Sequence, residues 1–291
     1  VRKSKQSSSP RFLALLAGLA CCIGTALAQN DEPFEMPRAL KVCADPNNLP
    51  FSNEKGEGFE NRIAELLAAK LGLSVEYFHY PQRINVVRNT INYKLPGESE
   101  YRCDLLTGVP AEFSAGAVTR PYFRSTYVLV YVKGRKLDVN SAEQFLALDP
   151  ALLSSLRIGV YDRTPATTWL LKHKLIERAV PYRILDADPS HYPGRIIEQD
   201  LVQGKVDAVI VWGPIGGYFA KRVKNAELAV VPLRSEPGVR FDFGVAMGMR
   251  RGEPGWLGRV QQALDESQGD ITRILREYGV PLVNDDGTVA R

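Results

Sequence analysis

Four loops carry the side chains with which this chain could recognise a ligand or a partner: Asp45-Pro-Asn-Asn-Leu-Pro-Phe51, Thr107-Gly-Val-Pro110, Asp162-Arg-Thr-Pro-Ala166 and Trp212-Gly-Pro214. Asp45 offers a carboxylate to a ligand's donors or caps the turn through Pro46, Asn47 and Asn48, and both readings suit the residue types. Phe51 stacks on a ligand or packs beneath its own loop. Trp212 follows Val209-Ile-Val211 and precedes Gly213-Pro214. A large amphipathic side chain at a strand exit fills a cleft, offers a hot spot to a partner, or belongs to the core. The candidate cleft set is Asp45, Asn47, Asn48, Phe51, Thr107, Gly108, Tyr122, Tyr161, Thr164, Trp212 and Gly213.

Catalytic signatures are missing. There is no GxSxG, HExxH, Walker or EF-hand loop, and Gly56-Glu-Gly58-Phe-Glu-Asn61 lacks the final glycine of a dinucleotide fingerprint, so it reads as a helix-capping turn. His79, His173 and His191 have no metal-ligand spacing, and the acid pairs Asp186/Asp188 and Asp285/Asp286 read as solvated loops. No metal, no cofactor and no enzymatic activity are expected. Cys43 and Cys103 form a disulfide or remain two buried thiols. An exported chain favours the bond, worth about 4 kcal/mol for a loop of this length. Against it, parallel neighbouring strands would hold the two staggered, since Cys43 ends one strand and Cys103 opens another.

These loops need elements to hold them. Ala39 to Ala44 reads as a strand, and Phe59 to Leu71 places Ile63, Leu66, Leu67 and Leu71 on one helical face, stopped by Gly72. A strand over 74–79, a helix over 82–92 with Ile84, Val87 and Ile91 inward, and a strand over 103–107 complete a βαβαβ unit and imply a parallel sheet. The plan recurs as strand 156–161, helix 165–175, strand 182–185, helix 195–203, strand 206–211 and helix 215–223. Between these halves lie extended stretches at 126–133 and 241–249, read as two hinge crossings. Helical segments at 254–268 and 270–278 then return to the first half. The expected fold is α/β, two lobes each with a mostly parallel sheet flanked by helices. Lobe 1 is 29–134 plus 236–291 and lobe 2 is 135–235, inserted. Ligands of parallel sheets collect at the carboxyl ends of the strands, so the four loops would face one interlobe cleft.

The chain has 291 residues with 37 basic and 33 acidic, but Arg2, Lys3, Lys5 and Arg11 precede any acid, and without them the balance is 33 to 33. Nucleic acid therefore loses its electrostatic support. The basic start runs into apolar 12–23 and then Ala26-Leu-Ala28, which reads as a cleaved export signal over 1–28; an uncleaved anchor is the alternative, for which the run is short. No membrane association is expected after cleavage.

Eight separated blocks carry a resemblance: Val42-Cys-Ala-Asp-Pro-Asn-Asn-Leu-Pro-Phe-Ser-Asn53, Gly58-Phe-Glu-Asn61, Arg88-Asn-Thr-Ile-Asn-Tyr-Lys-Leu-Pro-Gly97, Cys103-Asp104 with Gly108-Val-Pro110, Arg120-Pro-Tyr-Phe-Arg-Ser-Thr-Tyr127, Ile158-Gly-Val-Tyr-Asp-Arg-Thr-Pro165, Ile210-Val-Trp-Gly-Pro214 with Gly217-Tyr-Phe-Ala-Lys-Arg222, and Arg276-Glu-Tyr-Gly-Val-Pro281. They resemble periplasmic solute-binding protein family 3, and within it the quinoprotein dehydrogenase-associated branch of the methanol oxidation protein J type. The resemblance implies the type II periplasmic-binding fold and a periplasmic location. It also implies an accessory role toward a methanol dehydrogenase that carries pyrroloquinoline quinone and a lanthanide or calcium ion, with that enzyme's cytochrome c as a further possible partner. Amino-acid binders of the family hold the ligand carboxylate with an Arg after the third strand and the ammonium with an Asp at a second-lobe strand exit. Here no Arg lies between Arg102 and Arg120, and Trp212 stands at the second position. An unpaired zwitterion in a closed cleft would cost several kcal/mol, which disfavours ordinary amino-acid binding. The expected cleft occupant is a segment of the dehydrogenase, or alternatively a small molecule such as the quinone cofactor or a metal chelate.

Overall fold

The computed structural model describes residues 35–81, 85–183 and 192–290. The export signal, the start of the 82–92 helix, the end of the 182–185 strand, Asp186, Asp188 and His191 lie outside the described residues. Strand β1 (Ala39–Ala44) leads into a two-stranded turn, β2 (Asn47–Asn48) with β3 (Ser52–Asn53), and then into α1 (Phe59–Leu71). Gly58 must precede α1 because a Cβ there would overlap the Phe51 carbonyl, and Gly72 ends it with φ 69°. β4 (Ser74–His79) then pairs in parallel with β1, from Ala39↔Ser74 to Ala44↔His79.

The next helix is shorter than its periodicity predicts: α2 is Val86–Asn89. Its continuation is drawn into a buried knot in which the Arg250 guanidinium donates to the carbonyls of Ile91 (2.9 Å) and Cys103 (2.7 Å). The strand expected at 103–107 is β5 (Leu105–Pro110), parallel to β1 with Val42↔Leu105. Cys103 thus precedes the strand and curls over β1, which brings it to Cys43 with Cα atoms 5.4 Å apart and the disulfide formed. The expected stagger does not arise, because Cys103 lies two residues before β5 and not within it.

After β6 (Ala117–Val118), the ten-residue β7 (Phe123–Val132) joins the lobes. Its first half pairs with β12 and its second with β10 and β11, once those strands are formed further along the chain. Two short helices follow, α3 (Ala142–Leu146) and α4 (Pro150–Ser155), started by Ser141 and Asp149, whose side chains accept from Gln144 N and from Ala151 and Leu152 N. Neither is evident from helical periodicity. Then come β8 (Ile158–Tyr161), α5 (Pro165–Lys172), β9 (Ala179–Tyr182), a wide helical turn over Ile196–Leu201, β10 (Ala208–Trp212), α6 (Gly213–Arg222) and β11 (Leu228–Pro232). β9 lies earlier than expected, its register running Ile158↔Ala179 to Tyr161↔Tyr182. β11 is an added antiparallel neighbour of β7.

β12 (Asp242–Met249) pairs with β5, β6 and the first half of β7, so it lies in the first lobe's sheet. The chain's return between lobes is instead the segment 233–241, where Tyr127 exchanges backbone bonds with Leu233 and Phe241. α7 (Pro254–Glu266) and α8 (Gln268–Glu277) then pack on the first lobe's core, with Trp256, Val260, Leu264, Ile271 and Leu275 buried among Phe59, Ile63 and Leu67. The second lobe has apolar clusters on both sides of its sheet. No helix among the described residues is long and apolar enough to cross a membrane.

Candidate functional site

The loop after β1 is tied down at both ends. Asp45 Oδ1 accepts from Asn47 N (2.9 Å), and Ser52 Oγ bridges Asp45, accepting from its N (3.1 Å) and donating to its O (2.9 Å). Asp45 therefore caps the turn. Phe59 N and Glu60 N donate to Pro50 O and Phe51 O, fastening the loop to the first turn of α1, while the Phe51 ring meets Phe59 edge-on at 5.4 Å. Between these ties, Leu49 leaves its own lobe and packs against the second lobe's apolar cluster, whose members include Val128, Val130, Val211 and Phe219. Tyr161 packs against the same cluster, its hydroxyl donating to Pro193 O (2.7 Å). Burial, then Tyr182 and Tyr192, raise its phenol. Thr164 Oγ1 donates to Tyr161 O (2.8 Å), which closes the turn into α5.

Beneath the loop lies a polar cluster that the sequence pattern only partly reveals. Thr107 Oγ1 donates to Glu60 Oε2 (2.6 Å), Gly108 (φ 69°) leaves no room for a Cβ against Glu60 Oε1, and Tyr122 is buried beside them. Burial, with Asp45's charge adding to it and the Thr107 bond opposing, pushes the Glu60 carboxyl up to about 7. Burial, and then Glu60's charge, raises the Tyr122 phenol well above its usual range. Glu60 was not among the sequence candidates. Its signal is its place three residues before Ile63 and seven before Leu67, on the apolar face of α1.

Trp212 sits where the lobes join. Opposite Tyr127 in the β7–β10 register, its ring lies 5.5 Å from that of Tyr127 and 5.9 Å from that of Phe243, half-buried against the first lobe's core. Burial pushes the Tyr127 phenol up to about 12. Gly213 starts α6 against the crossing strand, where a Cβ would overlap the Thr126 carbonyl, and Gly217 meets the Gly279 carbonyl with equally little room. The structure thus sets Thr107, Gly108 and Tyr122 around Glu60 with Asp45 close enough for its charge to act there, and leaves Asn47 and Asn48 in the β2 turn and Phe51 against Phe59. It places Trp212 and Gly213 at the junction and Tyr161 and Thr164 on the second lobe. Glu112 is paired with Arg240 at 2.8 Å.

Three of the cavities lined by described residues lie elsewhere. One of about 680 Å³ runs between α6 and the end of α8, one of about 660 Å³ is lined by Arg234, Asn284, Thr288 and Val289, and one of about 220 Å³ lies over Lys41 and Tyr101. None of the eleven sequence candidates lines any of the three. Among the described residues no three His, Cys, Asp or Glu side chains are grouped to hold a metal.

No protein-family model matches the chain. The crystal structure of periplasmic binding protein XoxJ from Methylobacterium extorquens AM1 is 35% identical and superposes with a TM-score of 0.67, covering 85% of this chain and 100% of that one. The chain belongs to the MoxJ/XoxJ-type periplasmic binding proteins. MxaJ from Methlophaga aminisulfidivorans MPT, 23% identical, shares the fold with a TM-score of 0.68 over 84% of this chain and 100% of its own. Protein MoxJ of Paracoccus denitrificans is 26% identical over 266 residues, 84% of this chain and 89% of that protein. The fold of this family member is the type II periplasmic-binding fold, an α/β architecture with flanking helices and a curled sheet that is parallel in β4–β1–β5 and in β10–β8–β9. Within that fold, the Leu49 contact and the α6 glycines bring its two lobes together.

Proposed function

We propose that this MoxJ/XoxJ-type chain is a non-enzymatic periplasmic accessory protein of a quinoprotein methanol dehydrogenase system. In this reading it binds the dehydrogenase and assists its maturation or activation, after residues 1–28 have directed export. The observation that carries this reading is Trp212. At the second-lobe strand exit, where an amino-acid binder would present a carboxylate, an indole is wedged between Tyr127 and Phe243. An ammonium set beside it would lose its hydration without gaining an opposite charge, at a cost of several kcal/mol. Leu49, reaching from the first lobe to the second, likewise leaves the junction apolar rather than ionic. The scaffold of a solute binder without its ionic anchors suits recognition of a polypeptide through the interlobe region, whose rim holds the loop candidates Asn47, Asn48 and Phe51.

Calorimetry with purified apo-dehydrogenase is the direct test. Association is expected. An absence of binding to every form of the dehydrogenase, apo and metal-loaded, removes the reading.

A further inference from the structure

The cavity of about 680 Å³ between α6 and the end of α8 is a groove with one wall from each lobe. The second lobe supplies Tyr218, Lys221, Arg222 and Lys224, and the first supplies Arg62, Tyr278, Glu57 and Glu277. Its floor is a ladder that crosses the seam. Tyr218 and Tyr278 stack with centroids 5.6 Å apart and planes 15° from parallel, the Arg222 guanidinium lies 5.4 Å over Tyr218, and the Arg62 guanidinium lies 5.8 Å over Tyr278.

Four cations thus face two carboxylates. Glu277 is bound to Arg62 at 2.5 Å, and Glu57 accepts from the Asn53 side-chain amide at 2.7 Å. Arg222 is bound to Glu198 at 3.2 Å. Lys221 meets only a neutral acceptor in the groove, the Glu277 carbonyl oxygen at 2.8 Å, and Lys224 projects into solvent at the groove's edge. With Arg62 and Arg222 paired to Glu277 and Glu198, the excess positive charge rests on Lys221 and Lys224, and the edges of the stacked tyrosines give the groove its apolar surface.

We infer that this groove docks an acidic segment of the partner polypeptide and that it is complete only when the lobes are closed. The inference rests on the partner reading above and names the chemistry of the contact. A lone small anion on exposed lysines gains little through water and salt. A polypeptide segment that sets carboxylates against Lys221 and Lys224 and apolar side chains against Tyr218 and Tyr278 gains from both, which is why a protein and not a solute is the fitting occupant. Because the ladder is shared between lobes, an occupant touching both walls binds the closed form better than the open one. By linkage it therefore draws the lobes shut.

The test is titration of the purified apo-dehydrogenase into the full chain, its double variant K221E/K224E and the control K70E/K94E, which changes net charge equally on exposed lysines outside the groove. Thermal melts confirm that each variant is folded. K221E/K224E should weaken binding by about tenfold or more at low salt, with a flatter salt dependence, while K70E/K94E stays within about twofold of the parent. Hydrogen exchange across 217–224 and 276–279 should slow in the complex. If the parent chain binds no dehydrogenase, the partner reading and the occupant fall together. If it binds and K221E/K224E binds equally well, or if K70E/K94E loses as much, the groove assignment is overturned and the partner reading stands.

Discussion

Burial of Glu60 couples the first lobe to pH. The carboxyl is closed in by Thr107 and Gly108 of β5, by Tyr122 ahead of β7 and by Asp45 at the end of β1, and its pKa stands at about 7 against 4.5 for an open carboxyl. The folded chain therefore holds this proton more tightly than the unfolded chain. The resulting stability is complete below pH 4.5 and is lost as pH rises through 7, about 3 kcal/mol in all. Glu60→Gln keeps an acceptor for Thr107 and removes the proton. Urea unfolding from pH 5 to pH 8 should show the parent losing about 2.5 kcal/mol relative to that variant, whereas parallel profiles would mean that the carboxyl is solvated. Spacing places Glu60 on the face of Ile63 and Leu67, yet an acid in a helix's first turn is ordinary dipole chemistry, so that one signal of burial has a competing exposed reading. Trp212 is legible as an aromatic at a strand exit. Its companions Tyr127 and Phe243 come from the crossing strand β7 and from β12 of the first lobe's sheet, and are brought beside it only by the antiparallel pairing of β7 with β10 and β12.

Helix α6 owes its position to glycines with no room for a methyl group. Gly217 meets the Gly279 carbonyl, so Gly217→Ala must push α6 off the first lobe, at an expected cost of about 1–3 kcal/mol of overpacking. Gly258 in α7 has open space around it, and Gly258→Ala should instead gain about 0.5–1 kcal/mol. Opposite signs in denaturant melts are the expected result, and equal small gains would mean that α6 is free to shift. The same contrast separates what the sequence reveals from what it hides. β1, α1, β4, α5, β10, α6, α7 and α8 follow from hydrophobic period and glycine stops, because their own residues decide them. α2 is cut short by Arg250, β5 is displaced by the Cys43–Cys103 bond, and β11 forms because β7 offers it an edge. In each case a partner distant in the chain overrides the local pattern.

Whether the lobes close is a question for the whole molecule, and its answer turns on how little holds them. Beyond the two covalent crossings, the contacts between them include Leu49 in the second lobe's apolar cluster, Gly217 on Gly279, and the Tyr218–Tyr278 stack. The first and last are small apolar contacts, the second is backbone against backbone, and exposed Lys221 adds one hydrogen bond to the Glu277 carbonyl; none is a buried ion pair. A half-buried leucine contributes about 1–2 kcal/mol, so Leu49→Ala should shift the closed-to-open ratio by about tenfold toward the open form. Small-angle scattering should then report a larger radius of gyration for Leu49→Ala than for the parent, and saturating dehydrogenase should bring the two values back together, since an occupant touching both lobes restores closure by its own binding. An unchanged radius would mean that the seam at α6 suffices to hold the lobes and that Leu49 only fills space. In that case Gly217→Ala, which strains the seam itself, is the variant that should open them.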